Sequence, residues 1–250
     1  ESKSLRRFHN YIKYQLITAI CSLKSVSIMD TSIGRGGDIT KYIQDDIDCN
    51  FLFGLDINSV NEACKRYTYN NSNKKTNTLF IQYDTSHNIQ EKTGLIGDDD
   101  DIEYSTNIIN ILYGQNQSIP KEFNMLRKNM KRKALDKFDV ISSQFTLHYY
   151  FKDQRSFKGY LSNLLDNCKH GGYFIGTCYD GKKIFDALKD KDRVEYNETE
   201  FSSEVIPNFA TGRSDYVTVG SFTSDDSQNL NNGISYRLKF KLKSNLQSTL

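Results

Sequence analysis

A glycine-rich turn near the start of the chain has the residue types needed to hold a nucleotide-like ligand. Residues 28–38 read Ile-Met-Asp-Thr-Ser-Ile-Gly-Arg-Gly-Gly-Asp, and the three glycines let the backbone approach a ligand closely and adopt positive φ angles. Dinucleotide-binding turns instead have the spacing G-x-G-x-x-G and place a pyrophosphate at the start of the next helix. Here the spacing is G-x-G-G-D, and Asp38 brings a negative charge to the position where the pyrophosphate would lie. The turn therefore favours a ligand that is not anionic at this point, with a structural turn without a ligand as the alternative.

Acidic residues follow three successive apolar runs of the sequence. Asp30 and Asp56 end the first two runs, and Asp84 follows the third. Ligands of open α/β sheets bind at the carboxyl ends of the strands, so these carboxylates are expected at one edge of a sheet. Any one of them alone could cap a helix. Together they favour S-adenosylmethionine, because its sulfonium and amino groups are cationic, Asp56 can hold its ribose hydroxyls and Asp84 can accept from its adenine amino group.

The elements that must position these residues alternate between strand and helix. Apolar residues at helical spacing predict an N-terminal helix, and short buried runs predict the strands that follow it. The predicted elements are a helix over 5–23, a strand over 26–30, a helix over 36–43, a strand over 50–56, a helix over 58–69 capped by Asn58, and a strand over 79–83. This β-α-β-α-β order predicts a parallel sheet with right-handed crossovers.

Residues 87–137 interrupt this pattern with a polar insertion. It contains an acidic run at 98–101 and a basic segment at 121–137. We interpret the insertion as a surface segment with one solvated helix, because runs of charge usually face water. The alternative is a contact surface for RNA or for a partner protein.

The sheet is predicted to resume after the insertion. A glycine pair, Gly171-Gly172, is expected to end the helix that precedes the last buried strand. The predicted elements are strands over 138–143 and 145–150, a helix over 154–168, a strand over 173–178, a helix over 180–188, an irregular segment over 190–214, and a hairpin of 216–222 with 234–242.

Length and composition predict one α/β domain. The chain has 250 residues, of which 37% are hydrophobic and 26% charged, enough to bury a full core. We divide this single domain, 1–250, into an N-terminal helix (4–24), a core (25–190) and a β-rich C-terminal segment (191–250). No apolar run approaches the roughly 20 residues of a membrane span, and the N-terminus lacks a signal-peptide pattern. An intracellular protein without membrane contact is therefore expected.

The cysteines and histidines do not form a recognisable metal or disulfide pattern. The five cysteines are odd in number and widely spaced, without a Cys-x-x-Cys pair, and there are only four histidines. Reduced thiols and no metal are therefore expected. The formal net charge is only +2, so a nucleic-acid partner would have to meet a local basic surface. The chain starts at Glu1 and not at a methionine, which we interpret as a domain excised from a longer polypeptide.

Four separated segments carry a family resemblance. Residues 5–13, LRRFHNYIK, are similar to the motif R-x-F-N-N-W-x-K, and residues 30–38, DTSIGRGGD, to D-x-G-x-G-K-G-G-D. Residues 143–149, SQFTLHY, are similar to C-Q-F-x-x-H-Y, and residues 171–177, GGYFIGT, to G-G-Y-F-I-G-T. On these segments the chain resembles the eukaryotic and viral mRNA cap (guanine-N7) methyltransferases. A generic methyltransferase would share the second segment only.

The resemblance implies a fold and a methyl donor. The fold is the Rossmann-like class I fold of S-adenosylmethionine-dependent methyltransferases, a mostly parallel sheet with helices on both faces. Lys13 would reach the methionine carboxylate of the donor, Asp56 its ribose and Asp84 its adenine. The other residues implied in the donor pocket are Asp30, Ser32, Gly34, Asp38, Ile57, Thr85 and Gln144.

The resemblance also implies a pocket for the guanine cap. The cap-binding residues would be His9, Asn10, Arg35, Arg66, His148 and Tyr149. Arg35 and Arg66 would face the cap phosphates. His148 and Tyr149 are expected to position the guanine, without a role in acid or base catalysis.

The chain departs from the family pattern at two positions and at its C-terminal end. Ser32 stands where the family has its first turn glycine, and His9 where it has its first asparagine. After Leu188 we find no match to the further helix, sheet and acid that complete the family's cap pocket. The C-terminal segment is therefore expected to be incomplete.

The function implied by the resemblance is methyl transfer from S-adenosylmethionine to N7 of the guanine cap of mRNA, which leaves S-adenosylhomocysteine. Guanine N7 has a free lone pair, so we expect an in-line displacement without a general base or a metal. The expected partners are the capped 5′ end of RNA and triphosphatase and guanylyltransferase modules of the same polypeptide or complex. The expected location is the virion or host cytoplasm for a cytoplasmic DNA virus and the nucleus for a cellular protein.

Two other functions stay open at this point. A 2′-O-ribose methyltransferase must deprotonate a hydroxyl and typically uses a Lys-Asp-Lys-Glu set, for which the sequence offers no convincing arrangement. A noncatalytic subunit that binds the cap or RNA, or stimulates a partner, is the second alternative.

Overall fold

The fold is built on one six-stranded sheet with the strand order β3-β2-β1-β4-β5-β6. The computed structural model describes residues 3–22, 25–70, 76–115, 118–178 and 217–221. The strands are β1 (Val26–Asp30), β2 (Cys49–Asp56), β3 (Asn77–Gln82), β4 (Phe138–Gln144), β5 (Cys168–Thr177) and β6 (Val217–Ser221). The first five strands are parallel, and β6 pairs antiparallel with β5. This topology confirms the predicted α/β class with a mostly parallel sheet.

Helices cover both faces of the sheet. They are α1 (Lys3–Cys21), α2 (Ile39–Tyr42), α3 (Asn61–Asn70), α4 (Asp99–Leu112), α5 (Asn124–Met130), α6 (Leu147–Tyr150) and α7 (Gln154–Asn167), with a 3-10 helix (Lys121–Phe123) before α5. Successive side chains of a strand point to opposite faces, so Leu52 of β2 packs with Ile17 of α1, whereas Phe53 packs with Ile109 of α4 and Leu161 of α7. The two apolar clusters on either side of the sheet form the core, and the predicted arrangement of helices is confirmed.

The region after β1 differs from its predicted helix. Residues 36–43 were expected to be helical, but the glycine turn continues to Asp38 and α2 is only one turn long. Gly36 has a φ of +77°, which an α-helix does not contain, so the helix can start only after the turn. The predicted N-cap Asn58 was also wrong. Its side chain and its backbone N–H both donate to Asp56, and α3 begins later, at Asn61.

The segment after β4 is not the predicted strand over 145–150. Phe145 has a φ of +58°, in the left-handed region, and this turns the chain out of the sheet. The Phe145 N–H still donates to the Thr177 carbonyl at 2.8 Å, which holds the turn against the end of β5. The chain then forms the short helix α6, which carries His148 and Tyr149.

The glycine pair does not end α7 as predicted. The helix ends at Asn167, and β5 begins at once at Cys168, so Gly171 and Gly172 lie inside the strand. The register between β4 and β5 shifts there, and Gly171 has a φ of +74°. The pair therefore forms an irregularity of β5, where a Cβ on Gly172 would come within 3.0 Å of the Asp139 carbonyl.

The polar insertion is not only a solvated surface segment. The C-terminal half of α4 is buried in the same apolar cluster as Phe53, through Ile108, Ile109, Ile111 and Leu112. Its acidic first turn lies at the N-terminal end of α4, where Asp98 accepts a hydrogen bond from the Asp101 N–H and negative charge is favourable. The interpretation of one solvated helix was therefore wrong for this part of the chain.

Three predicted elements lie outside the described residues. They are the helix over 180–188, the irregular segment over 190–214 and the second hairpin strand over 234–242. The first strand of that hairpin corresponds to β6, which pairs with β5. None of the described helices is long and apolar enough to cross a lipid bilayer.

Substitution of Gly36 by alanine should destabilise the fold, and the same substitution at Gly37 should not. An added Cβ at Gly36 would lie 2.7 Å from Ile39 Cδ1 and 2.9 Å from Ala63 Cα, at a φ of +77°. Steric overlap and left-handed strain predict a loss of about 2 to 4 kcal/mol in the free energy of unfolding, measured by urea denaturation. Gly37 is the matched control, because nothing lies within 4 Å of an added Cβ there. Equal losses at both positions would contradict this packing role.

Candidate functional site

The candidate site lies at the carboxyl ends of the parallel strands, as the acids predicted. Asp30 and Asp56 are the last residues of β1 and β2, and both are nearly fully buried. The Gly34 N–H donates to Asp56 Oδ2 at 2.8 Å, so the glycine turn after β1 is held against the end of β2. A Cβ on Gly34 would meet only Asp56 Oδ2 at 3.9 Å and the Ser32 carbonyl at 4.0 Å. The backbone at Gly34 is therefore open to close approach by a ligand.

Asp30 is fully buried and is held by two hydrogen bonds. The Tyr42 hydroxyl donates to Asp30 Oδ2 at 2.8 Å, and the Ser32 N–H donates to Oδ1 at 2.9 Å. Burial removes the carboxylate from water and raises the pKa of Asp30 to about 7, although both hydrogen bonds oppose this rise. Burial also raises the pKa of Tyr42 well above its usual value. Asp30 thus acts as the internal anchor of the glycine turn.

A chain of polar side chains extends from Tyr42 across the sheet. Ser142 Oγ of β4 lies 2.8 Å from the Tyr42 hydroxyl and accepts from Gln144 Nε2 at 3.0 Å. The other end of the Gln144 amide accepts from Thr177 Oγ1 of β5 at 3.0 Å. Both ends of the Gln144 amide are therefore bonded to the strands themselves. Its predicted role in lining the donor pocket stays a prediction.

A cluster of three charged side chains joins α1 to the glycine turn. The ammonium groups of Lys13 and Lys41 lie 2.9 Å and 2.7 Å from the Asp38 carboxylate, and all three side chains are largely buried. Lys41 also donates to Asn10 Oδ1 at 3.2 Å. Lys13 thus reaches Asp38 in this structure, and its predicted contact with a methionine carboxylate stays a prediction. Lys41 was missed by the sequence reasoning, although its position three residues after Asp38 at a helix start was a signal for this contact.

The residues after β2 and β3 differ in how they are held. Asp84 is half-buried and accepts from the Ser86 N–H at 2.9 Å. The Thr85 hydroxyl donates to the Thr31 carbonyl at 3.2 Å and lies 2.6 Å from the Tyr150 hydroxyl, so it is bonded within the protein scaffold. Ile57, beside Asp56, is 55% exposed and offers an apolar surface next to the carboxylate.

The segment that follows β4 brings His148 and Tyr149, two of the predicted cap residues, to the same edge of the sheet. The rings of His148 and Tyr149 lie 4.2 Å apart on α6, and Tyr149 is 65% exposed. The ring of His9 from α1 lies 4.3 Å from that of Phe145. Phe145, which has a left-handed φ of +58°, was not assigned to the site from the sequence.

Ser32 joins the glycine turn to this second segment. Its hydroxyl accepts from Thr146 Oγ1 at 2.9 Å and from the Gln144 N–H at 3.4 Å. Thr146 Oγ1 in turn lies 2.8 Å from Ser143 Oγ. The side chain that departs from the family glycine therefore links the predicted donor turn to the predicted acceptor segment. Thr146 was not identified from the sequence.

The two predicted phosphate-binding arginines are at the surface. Arg35 is exposed within the glycine turn, and Arg66 is exposed on α3, where its Nε donates to Glu62 Oε1 at 3.2 Å. Their assignment to cap phosphates stays a prediction. Among the described residues, no three His, Cys, Asp or Glu side chains cluster as ligands of a metal ion would.

The fold and the site define the class of the protein. Strands β1 to β5 follow the order 3-2-1-4-5, and the glycine turn leaves the end of β1, as in the doubly wound Rossmann-like folds that bind nucleotides at the carboxyl ends of their strands. Among solved structures, a S-adenosylmethionine-dependent methyltransferase from Clostridium acetobutylicum aligns with 78% of this chain and 56% of its own, at 14% sequence identity and a TM-score of 0.39.

The chain belongs to the mRNA (guanine-N(7))-methyltransferase domain family, whose model matches residues 2–111 and 116–215. A mimivirus protein named "Probable mRNA-capping enzyme" is 29% identical over 78% of this chain. The mRNA cap guanine-N(7) methyltransferase of Caenorhabditis elegans is 25% identical over 84% of this chain, and that of Saccharomyces cerevisiae 27% identical over 80%. The chain spans 16%, 48% and 36% of the lengths of these three relatives. The predicted family is confirmed.

Asp30 should make the stability of the protein depend on pH. Its pKa rises from 3.8 to about 7 on folding, so the folded state binds the proton more tightly. The stability that this proton confers is fully present below about pH 4 and is lost as the pH rises through about 7, by up to about 4 kcal/mol. The difference in unfolding free energy between the wild type and Asp30→Asn should change by that amount between pH 4 and pH 8. The exposed Asp46→Asn is the control, and a pH-independent difference for Asp30→Asn contradicts the assignment.

Proposed function

We propose that this chain transfers the methyl group of S-adenosylmethionine to N7 of the guanine cap of mRNA. The observation that carries the proposal is the hydrogen bond between Ser32 Oγ and Thr146 Oγ1, at 2.9 Å. It joins the glycine turn, 30–38, to the segment 143–149, and these are the stretches that resemble the donor and acceptor motifs of the family. A donor and an acceptor held by these two segments would meet at one edge of the sheet, which group transfer requires.

The residues at this edge fit S-adenosylmethionine. The open backbone at Gly34 allows close approach of the ligand, and Ile57 offers an exposed apolar side chain for the adenine ring. Asp56 Oδ1 accepts from both the N–H and the side-chain amide of Asn58, whereas Oδ2 accepts from the Gly34 N–H and keeps capacity to accept from a ribose hydroxyl. Asp38 places a carboxylate at the turn, and Lys13 brings a cation close to it, a pair suited to the amino and carboxylate groups of a methionine moiety.

The chain's own residues supply binding and alignment. When bound, S-adenosylmethionine supplies a methyl group on a cationic sulfur, which the lone pair of guanine N7 attacks in line without a general base or a metal. Tyr149 offers an exposed ring on which the guanine can stack, and His148 supports that ring from 4.2 Å. The rings of His9 and Phe145, 4.3 Å apart, join α1 to the segment after β4. The buried network below the turn keeps both segments in fixed positions, so little reorganisation is needed on binding.

The same proposal extends to the partners. The acceptor is the capped 5′ end of RNA, and the mimivirus relative is named as a capping enzyme of which this chain spans 16%. We propose that triphosphatase and guanylyltransferase modules supply the capped end, on the same polypeptide or in the same complex. Their product is the substrate that this site requires.

Methyl transfer can be tested directly with the 250-residue chain. Labelled S-adenosylmethionine is incubated with GpppRNA, and the labelled cap is released by nuclease digestion and separated. Label on guanine N7 supports the proposal, and label on a ribose 2′-O overturns it in favour of the alternative enzyme. Calorimetry of S-adenosylmethionine, with and without a cap analogue, tests the noncatalytic alternative. No detectable heat with the donor would identify a binding module.

Tyr149→Ala should weaken use of the cap and leave donor binding unchanged. Stacking of a base on an aromatic ring contributes about 1 to 3 kcal/mol, so kcat/KM for GpppRNA is expected to fall roughly 5- to 150-fold. His148→Ala should have a smaller effect in the same direction at low substrate. Tyr69→Ala is the control, because Tyr69 is 86% exposed on α3. Full activity of both site variants at low GpppRNA would overturn their assignment.

Ser32→Ala should impair the use of the cap more than the binding of the donor. The variant removes the acceptor for Thr146 Oγ1 and the Gln144 N–H, so the segment after β4 loses its link to the glycine turn. We expect KM for the cap to rise roughly tenfold, with a smaller change in the dissociation constant of the donor. Ser22→Ala, which alters an exposed serine just after the C-terminal end of α1, is the control. A loss confined to donor affinity would contradict the linking role.

A further inference from the structure

A compact group of basic side chains lies far from the candidate site, at the end of the polar insertion. We call residues 127–133 the basic turn; its basic residues are Arg127, Lys128, Lys131, Arg132 and Lys133. The surrounding segment, 121–137, has seven basic and two acidic residues, although the formal net charge of the whole chain is only +2. The remaining residues therefore carry a net negative formal charge, although residues 3–13 and 237–243 are also basic.

The basic turn is an ordered structure. The Lys131 N–H donates to the Arg127 carbonyl at 3.2 Å at the end of α5. The Arg132 N–H donates to the Ile111 carbonyl at 2.9 Å, which fixes the turn on the C-terminal end of α4. Arg132 has a φ of +65°, a left-handed conformation that strains a residue other than glycine. The fold thus holds like charges together at a cost in backbone strain.

The positive charge of the basic turn faces water. Arg127, Lys128, Lys131 and Arg132 are exposed, and Lys133 is half-buried. Within the part of the chain that the structure describes, no carboxylate forms an ion pair with these five residues. The C-terminal ends of α4 and α5 meet here, and their partial negative charge offsets part of the repulsion. Phosphate groups of a partner would neutralise the positive charge that remains.

The position of the basic turn relative to the site defines what it can contact. It lies just before β4, and Lys137 Nζ donates to the Leu165 carbonyl near the end of α7, so it is at the amino ends of the strands. The site is at the carboxyl ends, one strand length away. β4 has seven residues, which corresponds to roughly 23 Å. The basic turn therefore does not reach the cap itself, but can reach phosphates further along the same RNA.

We propose that the basic turn binds the phosphate backbone of the transcript downstream of the cap, an inference that rests on the proposed function. Lysine and arginine at the surface bind phosphates without reading the base sequence, and the contacts release counterions, so their strength falls with salt. Binding should therefore depend on the length of the RNA and on salt, and not on base sequence. A protein partner at this surface is the competing interpretation.

The test compares two pairs of lysine substitutions of equal charge. Lys128→Gln with Lys131→Gln alters the basic turn, and Lys65→Gln with Lys158→Gln alters two exposed lysines on α3 and α7. Binding of a 20-nucleotide RNA of mixed sequence, with and without a cap, is measured by fluorescence anisotropy from 50 to 300 mM salt. Transfer of methyl to the dinucleotide GpppG and to the long capped RNA is measured in parallel.

The variant with Lys128 and Lys131 replaced should bind the long RNA roughly tenfold more weakly at about 0.1 M salt. The magnitude of the slope of log K against log salt should fall by about 1.4, because each of the two lost phosphate contacts contributes about 0.7. Its activity on GpppG should equal that of the wild type. Equal effects of the control pair, an unchanged affinity for long RNA, or an equal loss on GpppG would each overturn the inference. Binding of the uncapped RNA is read without methyl transfer, so a failure of the proposed function is distinguishable from a failure of this inference.

Discussion

The burial of one carboxylate organises the candidate site. Asp30 ends β1 in the interior, where an acid without hydrogen-bond donors would be costly. Its two donors come from the glycine turn and from Tyr42, and Tyr42 is tied in turn to Ser142 of β4. The conformation of the turn is thus coupled to the centre of the sheet. The glycine turn is held in place because Asp30, its anchor, lies inside the core.

Two further sets of contacts hold the neighbouring segments against the glycine turn. The ion cluster of Lys13, Asp38 and Lys41 fixes α1 against the turn, and the Ser32 hydroxyl fixes the segment after β4. The predicted donor and acceptor segments are therefore held by one connected set of contacts and not by independent loops. Such an arrangement suits a transfer reaction in which the protein contributes alignment more than proton chemistry.

The sequence allowed prediction of the elements whose signal is local. β1 was predicted with its observed bounds, and the three acids at the strand ends were identified, because buried runs followed by an acid are visible in a window of a few residues. The left-handed Phe145 and the irregularity at Gly171 depend on packing between β4 and β5, which no local window contains. Contacts such as Ser32 with Thr146 join residues 114 positions apart and depend on the register of the folded sheet. The acidic first turn of α4 led to its interpretation as solvated. The burial of its C-terminal half depends on packing against the sheet, which no local window contains.

The central position of β4 has a consequence for the order in which the site can form during synthesis. β1, β2 and β3 and all three strand-end acids leave the ribosome early, but the partner of Thr31 on β4 lies 111 residues later in the chain. Until β4 inserts beside β1, Asp30 lacks the support of Ser142, and the glycine turn lacks its fixed base. The nascent N-terminal half therefore carries most of the predicted donor-binding residues before the contacts with β4 that complete the support of the turn can form.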